Sequence, residues 1–161
     1  MPCYRIGTLE FRPAIAADAV LFYPKLRAAD LDELRAGSVD AASLLERSIM
    51  VSDECMVAED AKTHEPVAIW GVSETKPGYG EIWLMATDLV KKHQTTFLRT
   101  SAKAIADYLE RYSVLGNMVL DTNHLHIKWL KWLGFKFINH HKGFGVNGEG
   151  FYEFVKICVT Q

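Results

Sequence analysis

Between Cys55 and Tyr112 the hydrophobic period of the chain changes once, and that change limits the folds open to it. Three short apolar runs come first, Cys55–Ala58, Pro66–Val72 and Glu81–Ala86, separated by the polar stretch 59–65 and a turn at Lys76, Pro77 and Gly78. Short runs of this kind between turn signals read as strands, and such brief connections make an antiparallel meander. Leu98, Ala102, Ile105, Leu109 and Tyr112 then recur at spacings of four, three, four and three, the period of one helix face. A helix striped on one side needs an apolar layer to cover, so meander and helix together predict helices packed on a sheet.

The flanks extend the pattern. Leu9–Phe11 reads as a first strand, closed by Arg12 and Pro13. Ala28–Ala36 places Leu31 and Leu34 on one helix face and stops at Gly37, after which Ser38 opens a second helix carrying Leu44, Leu45 and Ile49. Past the long helix, Val114–Leu120 is a strand leading into Asp121, Thr122 and Asn123, any of which can cap a helix striped by Ile127, Leu130 and Leu133 and ended by Gly134. Phe135–Ile138 and Phe151–Val159 are strands, and Gly143, Gly145, Gly148 and Gly150 lie between them. Glycines between two strands belong to a hairpin, not to a nucleotide loop. The expectation is a single α/β (α+β) domain over residues 1–161, a mixed, mostly antiparallel sheet of about six to seven strands flanked by about four helices.

Composition narrows the function classes. With 49% hydrophobic and 24% charged residues the chain is not disordered, and no stretch is apolar enough to span a membrane. Residues Met1–Glu10 lack a signal-peptide core, so a cytoplasmic protein is expected. Cys3, Cys55 and Cys158 are too few and too scattered for a disulfide framework or a metal motif. The net charge of −2 argues against a nucleic-acid partner. It conceals an asymmetry, since residues 1–60 hold eleven acids against six lysines or arginines, whereas 122–148 hold four lysines, four histidines and no acid.

The acid-free segment is the most informative. From Leu120 to Phe135, with Asn123 opening a helix that closes on Gly134 and Phe135, it resembles the corresponding segment of the GNAT acetyltransferase superfamily, and the element order of the chain is similar to that fold. The resemblance implies acyl-CoA inserted between two splayed central strands, with its pyrophosphate at the start of the long helix, where free N–H groups and the helix dipole favour an anion. Lys91, Lys92, Thr95, Thr96 and Asn123 are then the cofactor-facing candidates, and Glu81 on the meander, with Asn123, is the catalytic candidate, Glu81 as general base. Two features depart from the superfamily: no glycine occurs between Glu81 and Leu115, where its phosphate loop has them, and Leu130 stands where its acid, a tyrosine, is expected. Whether the strand gap is open or filled by Phe97 and Leu98 therefore decides cofactor binding.

A narrower pattern, Asn123-x-x-His126-Ile127-x-x-Leu130-Lys131-x-x-Gly134 followed by two strands, is similar to a small family of podovirus internal-virion or morphogenesis proteins with an acetyltransferase-like domain. It implies a bacteriophage protein with a degenerate acyl-CoA site, acting in virion assembly or on a host or virion protein partner, located in the infected cell or in the virion. Trp129 and Trp132, with His126 and Lys131, would form the partner surface, tryptophan being favoured at interface hot spots. The alternative is an acetyl-CoA-dependent N-acetyltransferase acting on an amine of a protein or small molecule. His124, His126, His140 and His141 are not read as a metal site, because helix positions two apart do not share a face.

Overall fold

The computed structural model describes residues 3–159, so the start of the Met1–Glu10 segment lies outside the described residues. A hairpin precedes the expected first strand: β1 (Tyr4–Ile6) pairs antiparallel with β2 (Leu9–Pro13) around Gly7, which turns at φ +58°. Three helices follow where two were expected. The additional one, α1 (Asp18–Phe22), starts on Asp18, whose carboxylate accepts from both terminal Arg12 nitrogens (2.7 and 2.9 Å) and from Ile15 N–H (2.8 Å). Next come α2 (Ala28–Gly37) and α3 (Ala41–Val51), the latter capped by Asp40, which accepts from Ser43 N–H, and not by Ser38.

The meander is β3 (Glu54–Asp60), β4 (Pro66–Lys76) and β5 (Tyr79–Ala86), followed by α4 (Gln94–Arg111), β6 (Val114–Leu120), α5 (His124–Trp132), β7 (Lys136–His141) and β8 (Phe151–Ile157). The eight strands form one sheet in the order β1-β2-β3-β4-β5-β6-β8-β7. All neighbours are antiparallel except β5 and β6. The mixed, mostly antiparallel architecture is as expected, with one or two more strands and a fifth helix. No helix among the described residues is long and apolar enough to cross a membrane.

Both faces of the sheet are covered, which is why its central strands read as nearly continuous apolar runs. Adjacent residues go to opposite cores. Val57, Ile69 and Met85 pack under α1, α2 and α3, while Met56 and Ala68 pack with Phe97 of α4 and Trp129 of α5. The α4 stripe is rotated from the expected one: Phe97, Thr100, Ile105 and Tyr108 are buried, Ala102 is exposed, and Tyr112 lies beyond the helix end. Phe97 and Tyr108 bring far more apolar area than alanine, so they set which side turns inward.

Candidate active site

Strands β5 and β6 are paired through only three residues, Tyr79–Glu81 against Val114–Gly116. Each strand carries a glycine at this pinch. A Cβ on Gly80 would lie 2.8 Å from Leu115, and one on Gly116 would lie 2.5 Å from the Tyr79 hydroxyl. Close backbone approach is what these glycines permit. Beyond them β5 runs on to Ala86 and β6 to Leu120 without pairing to each other, and side chains take over hydrogen bonds that a β5–β6 ladder would make. Asn117 donates from Nδ2 to Ile82 C=O (2.8 Å) and accepts at Oδ1 from Met118 N–H (2.7 Å). Ala86 N–H donates to Asp30 Oδ2 (2.9 Å), and Ala86 C=O accepts from Arg27 N–H (2.9 Å). Ile82 and Ala86 thus turn their backbone groups toward the gap, and the two-residue period of a strand turns those of Leu84 there as well.

The opening is a cavity of about 290 Å³ that passes through the sheet, walled by Leu34, Leu44 and Ser48 of α2 and α3 on one face and by Phe97, Ile105 and Leu130 of α4 and α5 on the other. Phe97 and Leu98 line the gap and do not fill it.

Beside Ser48, Glu81 and Asn117 in its lining, buried polar groups reach it from α5 and α2. At the N-cap of α5 and along its first turns, Asn123 Oδ1, His126 Nδ1 and Trp129 Nε1 are buried without a hydrogen-bond partner, and they recur every three residues along one face. His126 and Trp129 line the cavity. Such atoms are uncommon in folded proteins, because an unmet buried donor or acceptor costs roughly 1–3 kcal/mol. Burial, partly offset by Asp30, pushes the His126 imidazole below its ordinary value, so it is neutral near pH 7. On α2, Asp30 Oδ1 accepts from Asn123 Nδ2 (2.8 Å), Asp30 Oδ2 from Arg27 (3.0 Å), and Glu33 Oε1 from Leu120 N–H (2.8 Å). These two carboxyls span the wide end of the gap. Burial, reinforced by Asp30, pushes the Glu33 carboxyl up to about 8 against the opposing pull of Leu120 N–H, Asn123 and Arg27. Glu33 is a protonated acid in the cavity wall at neutral pH.

The residues singled out from sequence are distributed unevenly around this cavity. Glu81 sits at the pinch and lines it, directly opposite Ser73, whose hydroxyl bonds Val51 C=O of α3; Glu81 therefore faces the α2/α3 side. Lys91, Lys92 and Thr95 are exposed near the start of α4, and Thr96 packs against the β1–β2 turn, where a Cβ on Gly7 would lie 3.2 Å from its hydroxyl. Asn123 is fully buried and braced by Asp30. Two members of the expected partner surface need correction: His126 and Trp129 are 7% and 4% exposed and belong to the interior, whereas Lys131 and Trp132 are exposed. The α5 stripe is wide enough to draw in both. Glu33 was not singled out from sequence. Its signal, an acid three residues after Asp30 on a helix, is indistinguishable from a solvated face.

No protein-family model matches the chain, and no curated protein is similar to it, so the podovirus resemblance gains no support. Solved structures are similar over nearly the whole length. The ribosomal-protein-S5-alanine acetyltransferase of Vibrio fischeri superposes with a TM-score of 0.67 at 14% identity, covering 98% of this chain and 97% of that one. Ard1 of Thermoplasma volcanium gives 0.71 at 16% identity over 96% and 100%. The Salmonella typhimurium protein yncA, solved with its cofactor acetyl-CoA, gives 0.67 at 13% identity over 96% of each chain. At these identities the likeness is one of architecture: the chain has the GNAT acetyltransferase fold.

Proposed function

We propose that the chain is an acyl-CoA-dependent N-acyltransferase, with the acyl donor on the α4/α5 face and an amine acceptor on the α2/α3 face. The observation that carries this is the cavity through the sheet where β5 and β6 part, which gives two reactants access to one point from opposite sides. Bound acyl-CoA would supply an activated thioester, whose carbonyl carbon bonds to the amine nitrogen as the C–S bond breaks and the thiol leaves with a proton.

The residues fit that ligand along most of its length. Leu84 offers its backbone N–H and C=O to the amide-bearing arm, and Trp129 Nε1–H and neutral His126 Nδ1 add a donor and an acceptor on the facing helix. Glu81, at the pinch on the acceptor side, takes the proton of the amine. Lys91 and Lys92, with the first N–H groups of α4 near Thr95 and Thr96, balance phosphate charge without the glycine loop. Asn123 acts through its fixed place beneath His126. The missing glycines and the leucine at 130 motivated the reading of a degenerate phage assembly protein, but an open cavity with unpartnered polar atoms favours a ligand.

Acetyl-CoA at about 100 times its dissociation constant adds about 2.7 kcal/mol to stability, raising the melting temperature by roughly 5–10 °C. Glu81→Gln keeps that shift and lowers kcat at least about 100-fold. The absence of any shift at millimolar acetyl-CoA overturns the assignment.

A further inference from the structure

We infer that the acceptor is a primary amine carried on an apolar, preferably aromatic, body, bound against Trp83 with its ammonium toward Glu81. This rests on the acyl-transfer reading and names the acceptor class of the same site. Among the described residues, Glu33 and Glu81 are the only acidic side chains lining the cavity, and no lysine or arginine lines it. With Glu33 spanning the wide end on Leu120 N–H, Glu81 is the carboxylate at the pinch. The electrostatics there suit one positive charge and no more, which disfavours a polyamine.

The rest of that half is apolar. Met85 shares the strand face of Glu81 and Trp83, and Leu34, Leu44 and Leu45 cover it from α2 and α3. Trp83 is a fixed wall. It lies opposite Gly71, where a Cβ would come within 2.6 Å of its Nε1 and 2.5 Å of Ser52 Oγ. Its Nε1–H donates to Ser52 Oγ (2.9 Å), which in turn donates to Ser48 C=O (2.6 Å). With its one polar atom engaged and its ring seated over a glycine, the indole offers the cavity only π surface, suited to an aromatic ring or an ammonium methylene. The approach is also apolar. Directly after the α2 residues that line the cavity, Ala36 C=O at the end of α2 accepts from Val146 N–H of the β7–β8 loop (2.9 Å), and Val39 of the α2–α3 turn and Phe144 and Val146 of the loop stand exposed.

The test uses the full chain with 2-phenylethylamine, spermidine and an alanine-initiated peptide, reading tryptophan fluorescence for binding and thiol release from acetyl-CoA for turnover. The expected result is a kcat/KM for 2-phenylethylamine at least about tenfold above the other two, equivalent to about 1.4 kcal/mol. Trp83→Ala raises KM about tenfold with little change in kcat, the signature of lost binding. Should that variant fail to fold, Gly71→Ala, which displaces the indole, gives the same KM effect. Acetyl-CoA binding with spermidine or peptide preferred overturns the aromatic-amine inference and leaves acyl transfer standing. Binding of 2-phenylethylamine that depends on Trp83, without an acetyl-CoA shift, overturns acyl transfer and keeps the amine site.

Discussion

Two polar clusters, one centred on His93 and one on His126, are built in opposite ways. At the start of α4, His93 is buried between Asp60 and Thr8: Nε2–H donates to Asp60 Oδ2 (3.0 Å), leaving Nδ1 to accept from the Thr8 hydroxyl (2.7 Å). Asp60 also accepts from Lys62 and Thr63 N–H (2.8 and 3.0 Å). Every member has a partner, and together they bind the β1–β2 turn and the end of β3 to the start of α4. On the α5 side of the β5–β6 gap, Asn123, His126 and Trp129 each keep one atom without a partner. The first cluster resembles a Thr–His–Asp relay whose members satisfy one another, whereas two members of the second, His126 and Trp129, line the cavity. Satisfied polar groups hold a fold together, and unsatisfied ones facing a cavity mark where something else binds.

The sharpest break between the two is their response to pH. Glu33, held up to about 8 chiefly by burial, leaves stability intact below its unfolded value near 4.5 and removes it as pH rises through about 8. Urea unfolding is therefore expected to show a loss on the order of a few kcal/mol between pH 5 and 8.5, and Glu33→Gln flattens that slope. Asp60 has the opposite sign. The N–H groups of Thr63 and Lys62, with His93, push its carboxyl down to about 2, so its contribution is present above the ordinary carboxylate value and is lost as pH falls toward 2. Acid unfolding of Asp60→Asn is expected to lack that limb.

Substitution of the two histidines is the next comparison. His93→Leu strips partners from Thr8 and Asp60 and lowers the melting temperature by roughly 5–10 °C. His126→Leu removes an unmet buried polar atom, so the ligand-free chain melts roughly 2–4 °C higher, while the acetyl-CoA shift shrinks. A drop in melting temperature for His126→Leu would falsify the distinction between the clusters. The smallest effect belongs to Trp129→Phe, which loses the unpartnered N–H and keeps an aromatic ring in the core: the ligand-free melt moves by less than about 2 °C, and weaker acetyl-CoA binding is the readout.

Elements with strong patterns were legible before the fold. The meander, the long helix and the helix opened by Asn123 each contain apolar residues at a regular period, and each lies within a few residues of where it was expected. Elements without such a pattern were not. β1 is three residues long and exposed throughout, so its alternation buries nothing, and α1 is five residues whose anchor is an ion pair between Asp18 and Arg12. The site divides likewise. Glu81 could be placed because it sits within a strand of known register, whereas Glu33 reads as one more acid of a solvated helix until Leu120 N–H and Asn123 are brought against it.

What the chain determined locally was the alternation of strand and helix, a consequence of near-neighbour spacing and side-chain shape. The tertiary structure decided which polar groups lose water. His126 and Trp129, expected on a surface, are turned into the interior, and Glu33 becomes an acid with a raised pKa in the cavity wall. Hydration is a property of a group's surroundings in space, and residues 30, 33, 120, 123 and 126 become neighbours only when α2 closes over the end of β6.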